Sequence, residues 1–147
     1  MAFATGNYRP SGGMIKDLPM NAGAGTIYPG DIVMCLAAGT AYAGAVDDAD
    51  PETTGASVWG VALEEKTYAA ATDTIRCDIG GAEVKVTHTA GSMAQANVGD
   101  EVFVDGAQAV DATGGMTDQV KAGMISEIVS GTVVWVKLEP FGSHNET

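Results

Sequence analysis

"AEVKVTH", Ala82–His88, alternates without a break. Ala82, Val84, Val86 and His88 fall on one face of an extended chain, and Glu83, Lys85 and Thr87 on the other. Each buried valine contributes about 1.5–3 kcal/mol, and slipping the register by one residue would expose them all. The stretch therefore predicts a β-strand with one face in a core.

The same grammar extends in both directions. "TIRCDI" (74–79) precedes it, and the intervening Gly80-Gly81 predicts a hairpin. Downstream, "EVFVD" (101–105) puts Val102 and Val104 on one face and Phe103 on the other. "AGMISEIV" (122–129) and "TVVWVKL" (132–138) flank Ser130-Gly131, a second hairpin signal. In the last of these, Val134, Val136 and Leu138 form one face, and Val133, Trp135 and Lys137 a second that is half apolar. A strand apolar on both faces suits a sandwich, a barrel or a subunit contact. Upstream, "GTIY" (25–28), "DIVMCL" (31–36), "TAYAGAV" (40–46) and "SVWGVALEE" (57–65) read as strands, with "DDADPETTGA" (47–56) as a surface loop. Helical signal is confined to single turns in "EEKTYAAAT" (64–72) and "GSMAQANVGD" (91–100).

The predicted fold is all-β, a small barrel or sandwich of about eight or more short strands with an extended N-terminal arm. The arm spans residues 1–24, a single β domain 25–141, and a flexible tail 142–147.

Charge narrows the function classes. Nineteen acids against seven bases give a net charge of −12, a field that repels nucleic acid and anionic membrane surfaces. No apolar run approaches the roughly 20 residues that span a bilayer. "MAFATGNYRPSGGM" (1–14) has neither the basic nor the apolar region of a signal peptide, so synthesis in a cytoplasm is expected. Cys35 and Cys77 sit in strand-like stretches; a disulfide is open from sequence, and buried reduced thiols are the expectation in a reducing compartment.

"YPGDIV" (28–33) and "NVGDEV" (97–102) repeat one phrase. Asp31 and Asp100 could converge as metal ligands or an acid/base pair, yet no histidine stands near either. Gly followed by Asp more simply makes a turn that feeds a strand: Gly supplies an unusual backbone angle and Asp accepts main-chain N–H groups. The acidic "DDADPE" (47–52) lacks the glycine and terminal glutamate of a calcium loop. "GASVWG" (55–60) misses the nucleophile-elbow spacing, and "GAG" (23–25) is no phosphate cradle. A thiol nucleophile would need Cys35 or Cys77 beside His88 or His144. His88 reads better as a satisfied histidine at the rim of a strand, and His144 lies in a polar tail. The expectation is a protein that is not an enzyme, without catalytic residues, metal or cofactor. A hydrolase using Cys or Asp is the weakest alternative.

The order "PGDIV", a variable loop, "VWGVALEE", "CDIGGAEVKV", "NVGDEVFVD" and "AGMISEIVSGTVVWVKL" resembles a family of tailed-bacteriophage head decoration, or capsid cement, proteins. The matching positions are Gly60-Val61-Ala62, Gly80 to Val84, Gly99 to Asp105, Gly123 to Glu127, and Val134, Val136 and Leu138. The resemblance implies a β-barrel or sandwich, often trimeric, on the outer surface of the virion capsid. There it would bridge neighbouring subunits of the major capsid protein and so stabilise the shell.

In this setting "YRPSGGMIKDLPM" (8–20) reads as an arm able to add as a strand to a partner's sheet edge. Tyr8, Met14, Ile15, Leu18 and Met20 would anchor it, with Arg9 and Lys16 as local positive charge; a frayed terminus is the alternative. Trp59, Phe103 and Trp135 are candidates for subunit contacts or surface binding. A carbohydrate- or host-surface-binding module stacking sugars on Trp59 or Trp135 is the second functional reading, against ordinary core packing of the same rings.

Overall fold

The computed structural model describes residues 7–21, 24–35, 46–48, 57–112, 118–140 and 144–146. Alternating valine-rich stretches become the wall of a closed five-stranded barrel. Its strands are β9 (Glu83–His88), β10 (Glu101–Gly106), β11 (Ala109–Asp111), β12 (Asp118–Ile128) and β13 (Val133–Leu138). Neighbours run in the order β9-β11-β10-β12-β13, and β13 pairs back onto β9 to close the ring. All contacts are antiparallel except β11 on β9. Val84, Val86, Val102, Val104, Val134, Val136 and Leu138 fill the interior, which is the face that period-two alternation assigns them. β12 and β13 are joined by the hairpin at Ser130-Gly131.

A second sheet packs on this barrel. It comprises β2 (Ile15–Pro19), β4 (Ile32–Cys35), β5 (Val46–Asp48), β6 (Ser57–Ala62) and β8 (Thr74–Asp78), in the order β2-β8-β6-β4-β5. Ile32, Met34, Val58 and Val61 turn towards the barrel and share its core. Val33, Ala62, Ile75, Cys77, Leu18 and Met20 turn the other way into a second core with Ile27. There the ribbon of β3 (Thr26–Ile27) and β7 (Lys66–Thr67) contributes Ile27. The sheet is thus buried on both faces, as the near-continuous apolar runs of β4 and β6 require.

Several expectations change. Gly80-Gly81 is no hairpin: β8 belongs to the second sheet and β9 to the barrel, so the diglycine carries the chain between them. A side chain at Gly80 would collide with Ser11, which packs over this crossing. "EEKTYAAAT" forms β7 and a turn, whereas "GSMAQANVGD" does hold a 3-10 turn at Gln95–Asn97. "TAYAGAV" up to residue 45 and the loop 49–56 lie outside the described residues. The backbone of β14 (His144–Glu146), in the stretch read as a tail, pairs with Asp118–Val120 of β12.

The arm is woven into the body. Its β1 (Tyr8–Arg9) pairs with β9, Tyr8 opposite Val84 and Arg9 opposite Glu83. Along this one edge of β9, Lys85 N–H donates to Asn7 and Thr87 N–H to Gln108. The arm therefore continues the barrel wall where three-residue β11 ends. β2 then pairs along all of β8.

Candidate functional site

Both Gly-Asp phrases are turns. Pro29 and Gly30 (φ +90°) lie between Tyr28 and Asp31, closed by Asp31 N–H to the Tyr28 carbonyl at 3.1 Å. Val98 (φ −60°, ψ 128°) and Gly99 (φ +95°) lie between Asn97 and Asp100, closed in the same way at 3.0 Å. These are type II turns, in which the third position needs a positive φ and so selects glycine. The carboxylates serve local structure. Asp100 accepts from Asn97 Nδ2 at 2.9 Å, while buried Asp31 accepts Tyr28 N–H at 3.0 Å and Gln108 Nε2 at 2.8 Å. Through Gln108 and the 2.8 Å bond from Ile32 N–H to the Ala107 carbonyl, the first phrase fastens the second sheet to the barrel.

A second buried carboxylate ties the arm to the body. Asp78, at the end of β8, accepts four hydrogen bonds: Tyr8 hydroxyl at 2.5 Å, Ser11 N–H at 3.0 Å, Ser11 hydroxyl at 2.6 Å and Gly80 N–H at 3.1 Å. Burial alone would push this carboxyl up, but the bonds from Ser11, Tyr8 and Gly80 together outweigh it and hold it below the usual carboxylate range. Tyr8 is displaced the other way: burial, then its bond to Asp78 and the nearby negative charge, raise its phenol well above the ordinary tyrosine value. A carboxylate so saturated with donors is a clamp with no lone pair left for chemistry.

Beside the clamp, the Arg9 guanidinium lies 3.8 Å from the centroid of the Trp135 ring and reaches Glu83 at 3.6 Å and Glu127 at 3.5 Å. Trp135 is only 5% exposed beneath it. Stacking and charge here reinforce one another, since Arg offers a planar face to the ring while its edges meet the acids.

The candidate residues therefore divide. Tyr8, Arg9, Leu18 and Met20 contact this chain's own body: Tyr8 packs on the barrel core, and Leu18 and Met20 lie in the second core. Met14 (54% exposed), Ile15 (56%) and Lys16 face solvent. Trp135 and Phe103 are buried, and Trp59 packs half-buried on the second core. Neither Trp135 nor Phe103 offers a free ring face for a sugar.

Neither Cys35 nor Cys77 is joined in a disulfide. Burial, with smaller contributions from Glu64 and Asp17, pushes the Cys77 thiol up to about 12, so it is a poor nucleophile at neutral pH. His88 corrects the rim reading: it is 1% exposed, and neither ring nitrogen has a hydrogen-bond partner among the described residues. The side chain of His144 lies outside the described residues. Among the described residues, no group of three or more His, Cys, Asp or Glu side chains is arranged to hold a metal ion, and no helix is long and apolar enough to cross a membrane.

What sequence reasoning missed was Asp78, the hub of the arm contacts. Its one signal was position, an acid closing an alternating strand just before Gly-Gly. Comparison with models of known protein families finds no match, and searches of curated proteins and of solved structures find none either.

Proposed function

We propose that this chain is a capsid decoration protein of a tailed bacteriophage, bound to the outer surface of the shell and bridging major capsid subunits. One observation carries the reading. The segments that resemble the cement family fall, in chain order, on strands of the barrel and of the sheet docked on it: Gly60-Val61-Ala62 on β6, Gly80–Val84 leading into β9, Gly99–Asp105 leading into β10, Gly123–Glu127 on β12, and Val134, Val136 and Leu138 inside the barrel on β13. The net charge of −12 adds support by disfavouring nucleic acid and anionic membrane as partners.

The mechanism is avidity. A homotrimer would present several weak contacts at once, and simultaneous engagement multiplies affinity by ~10²–10⁴ over one contact. Light scattering gives the mass, and co-sedimentation with undecorated heads gives the partner. The proposal expects a trimer that pellets with heads and saturates them at a fixed stoichiometry; a monomer that stays in the supernatant at every concentration would overturn it.

A further inference from the structure

β2 is the outermost strand of the second sheet, and no described strand pairs with its free edge. Its pairing on the other side sets which backbone groups point outward. Ile79 N–H donates to the Met14 carbonyl at 2.8 Å and Met20 N–H to the Asp73 carbonyl at 3.0 Å, with Lys16 opposite Cys77 and Leu18 opposite Ile75. In an antiparallel pair the hydrogen-bonded residues alternate, so Met14, Lys16, Leu18 and Met20 face β8. Ile15 and Asp17 then turn both N–H and C=O outward, and Pro19 its carbonyl. Met14 and Ile15 add exposed apolar side chains beside this row.

We infer that the free edge of β2 is a docking site for an extended strand of a different polypeptide, carrying an apolar residue opposite Ile15 and one acidic residue opposite Lys16. The inference concerns the edge itself and does not depend on the partner being a shell protein. A second copy fits poorly. Two-fold antiparallel pairing of β2 with itself must match outward-facing residues with one another. The register centred on Asp17 sets two carboxylates opposite each other, and the one centred on Lys16 sets two ammonium groups so, both of which destabilise. Centring on Leu18 relies twice on Pro19, which has no N–H. Centring on Ile15 pairs only that single residue of β2.

A foreign strand escapes these conflicts. Lys16 makes no ion pair among the described residues, whereas Asp17 already meets Arg76 at 3.3 Å. Lys16 would occupy a non-hydrogen-bonded site of the new pair, where facing side chains approach most closely. An acid there finds a free partner. A run of acids is opposed by the net charge of −12, so the rest of the strand is neutral or basic.

The test uses the full chain, isotope-labelled for amide NMR, and two capped peptides, Thr-Lys-Val-Glu-Val-Lys-Thr and its relative with a central Lys. Shifts are expected at the Ile15 and Asp17 amides, with the Glu peptide binding up to about fivefold more tightly although the Lys peptide is the better match to the overall charge. Ile15→Pro, which removes an outward N–H while leaving the pairing to β8, should abolish binding. Lys16→Glu should reverse the preference, and it serves as the second variant if proline disturbs the fold. Shifts elsewhere, equal affinity for both peptides, no binding at all, or self-association through the β2 amides without peptide would each overturn the inference.

Discussion

Gly60 shows how much can hang on one missing methyl group. β6 bulges there against β4, and a Cβ would strike the carbonyl of Asp78 on the adjacent strand. Gly60→Ala should cost about 1–3 kcal/mol in urea denaturation, because the backbone must part to admit it. His88 predicts the opposite sign. Its buried nitrogens make no hydrogen bond among the described residues, and a buried unsatisfied polar group costs about 1–3 kcal/mol. His88→Leu should therefore raise stability, by about 1 kcal/mol in the same assay; a loss of that size would mean the imidazole is satisfied in solution. Thiol labelling gives a third check, with Cys77 unreactive at neutral pH until the protein is unfolded. At this scale the sequence revealed which face each residue would take, as in Ala82 through His88. It was silent on what would meet His88, because a hydrogen-bond partner is a property of tertiary neighbours.

The N-terminal segment is where elements rearranged the expectation. Its strands were illegible in the sequence for physical reasons: β1 has two residues, β2 ends at a proline, and neither shows an apolar alternation. Their stability comes from pairing with β9 and β8 and from Leu18 and Met20 in the second core. Deleting residues 1–20 should therefore lower the melting temperature of the remainder sharply. The Asp78 clamp can be tested more gently. Asp78→Asn replaces one carboxylate oxygen, the acceptor of two of the four bonds, by an amide donor and should cost about 2–4 kcal/mol, with trypsin cleavage after Lys16 accelerated.

The clamp also predicts pH dependence at both ends. Because the Asp78 carboxyl is lowered in the fold, its contribution is present above the unfolded carboxylate range and is lost as pH falls through its folded value. Tyr8 is raised, so its contribution is present below the unfolded phenol value of about 10 and is lost as pH rises through the folded one. Arm cleavage in native protein should accordingly be slowest between these limits, and Tyr8→Phe should flatten the alkaline limb.

For the whole molecule, the all-β class was readable from period-two alternation and frequent turns, and closure into a barrel was among the forms anticipated. The assignment of strands to two packed units was not. β8 and β9 look like one hairpin in the sequence, yet they part at Gly80-Gly81 because each finds its partners elsewhere: β2 and β6 for β8, and β13 for β9. The candidate site followed the same division. Met14, Ile15 and Lys16 stand on the surface, whereas Tyr8, Leu18, Met20 and Trp135 serve the interior.

The central claim is that this scaffold works by the surface it presents to a viral shell. A cryo-electron microscopy reconstruction of heads assembled with and without the protein tests it most directly. The account predicts extra density seated on the outer face between major capsid subunits, fitted by the barrel and its docked sheet. Identical maps at saturating protein would contradict it.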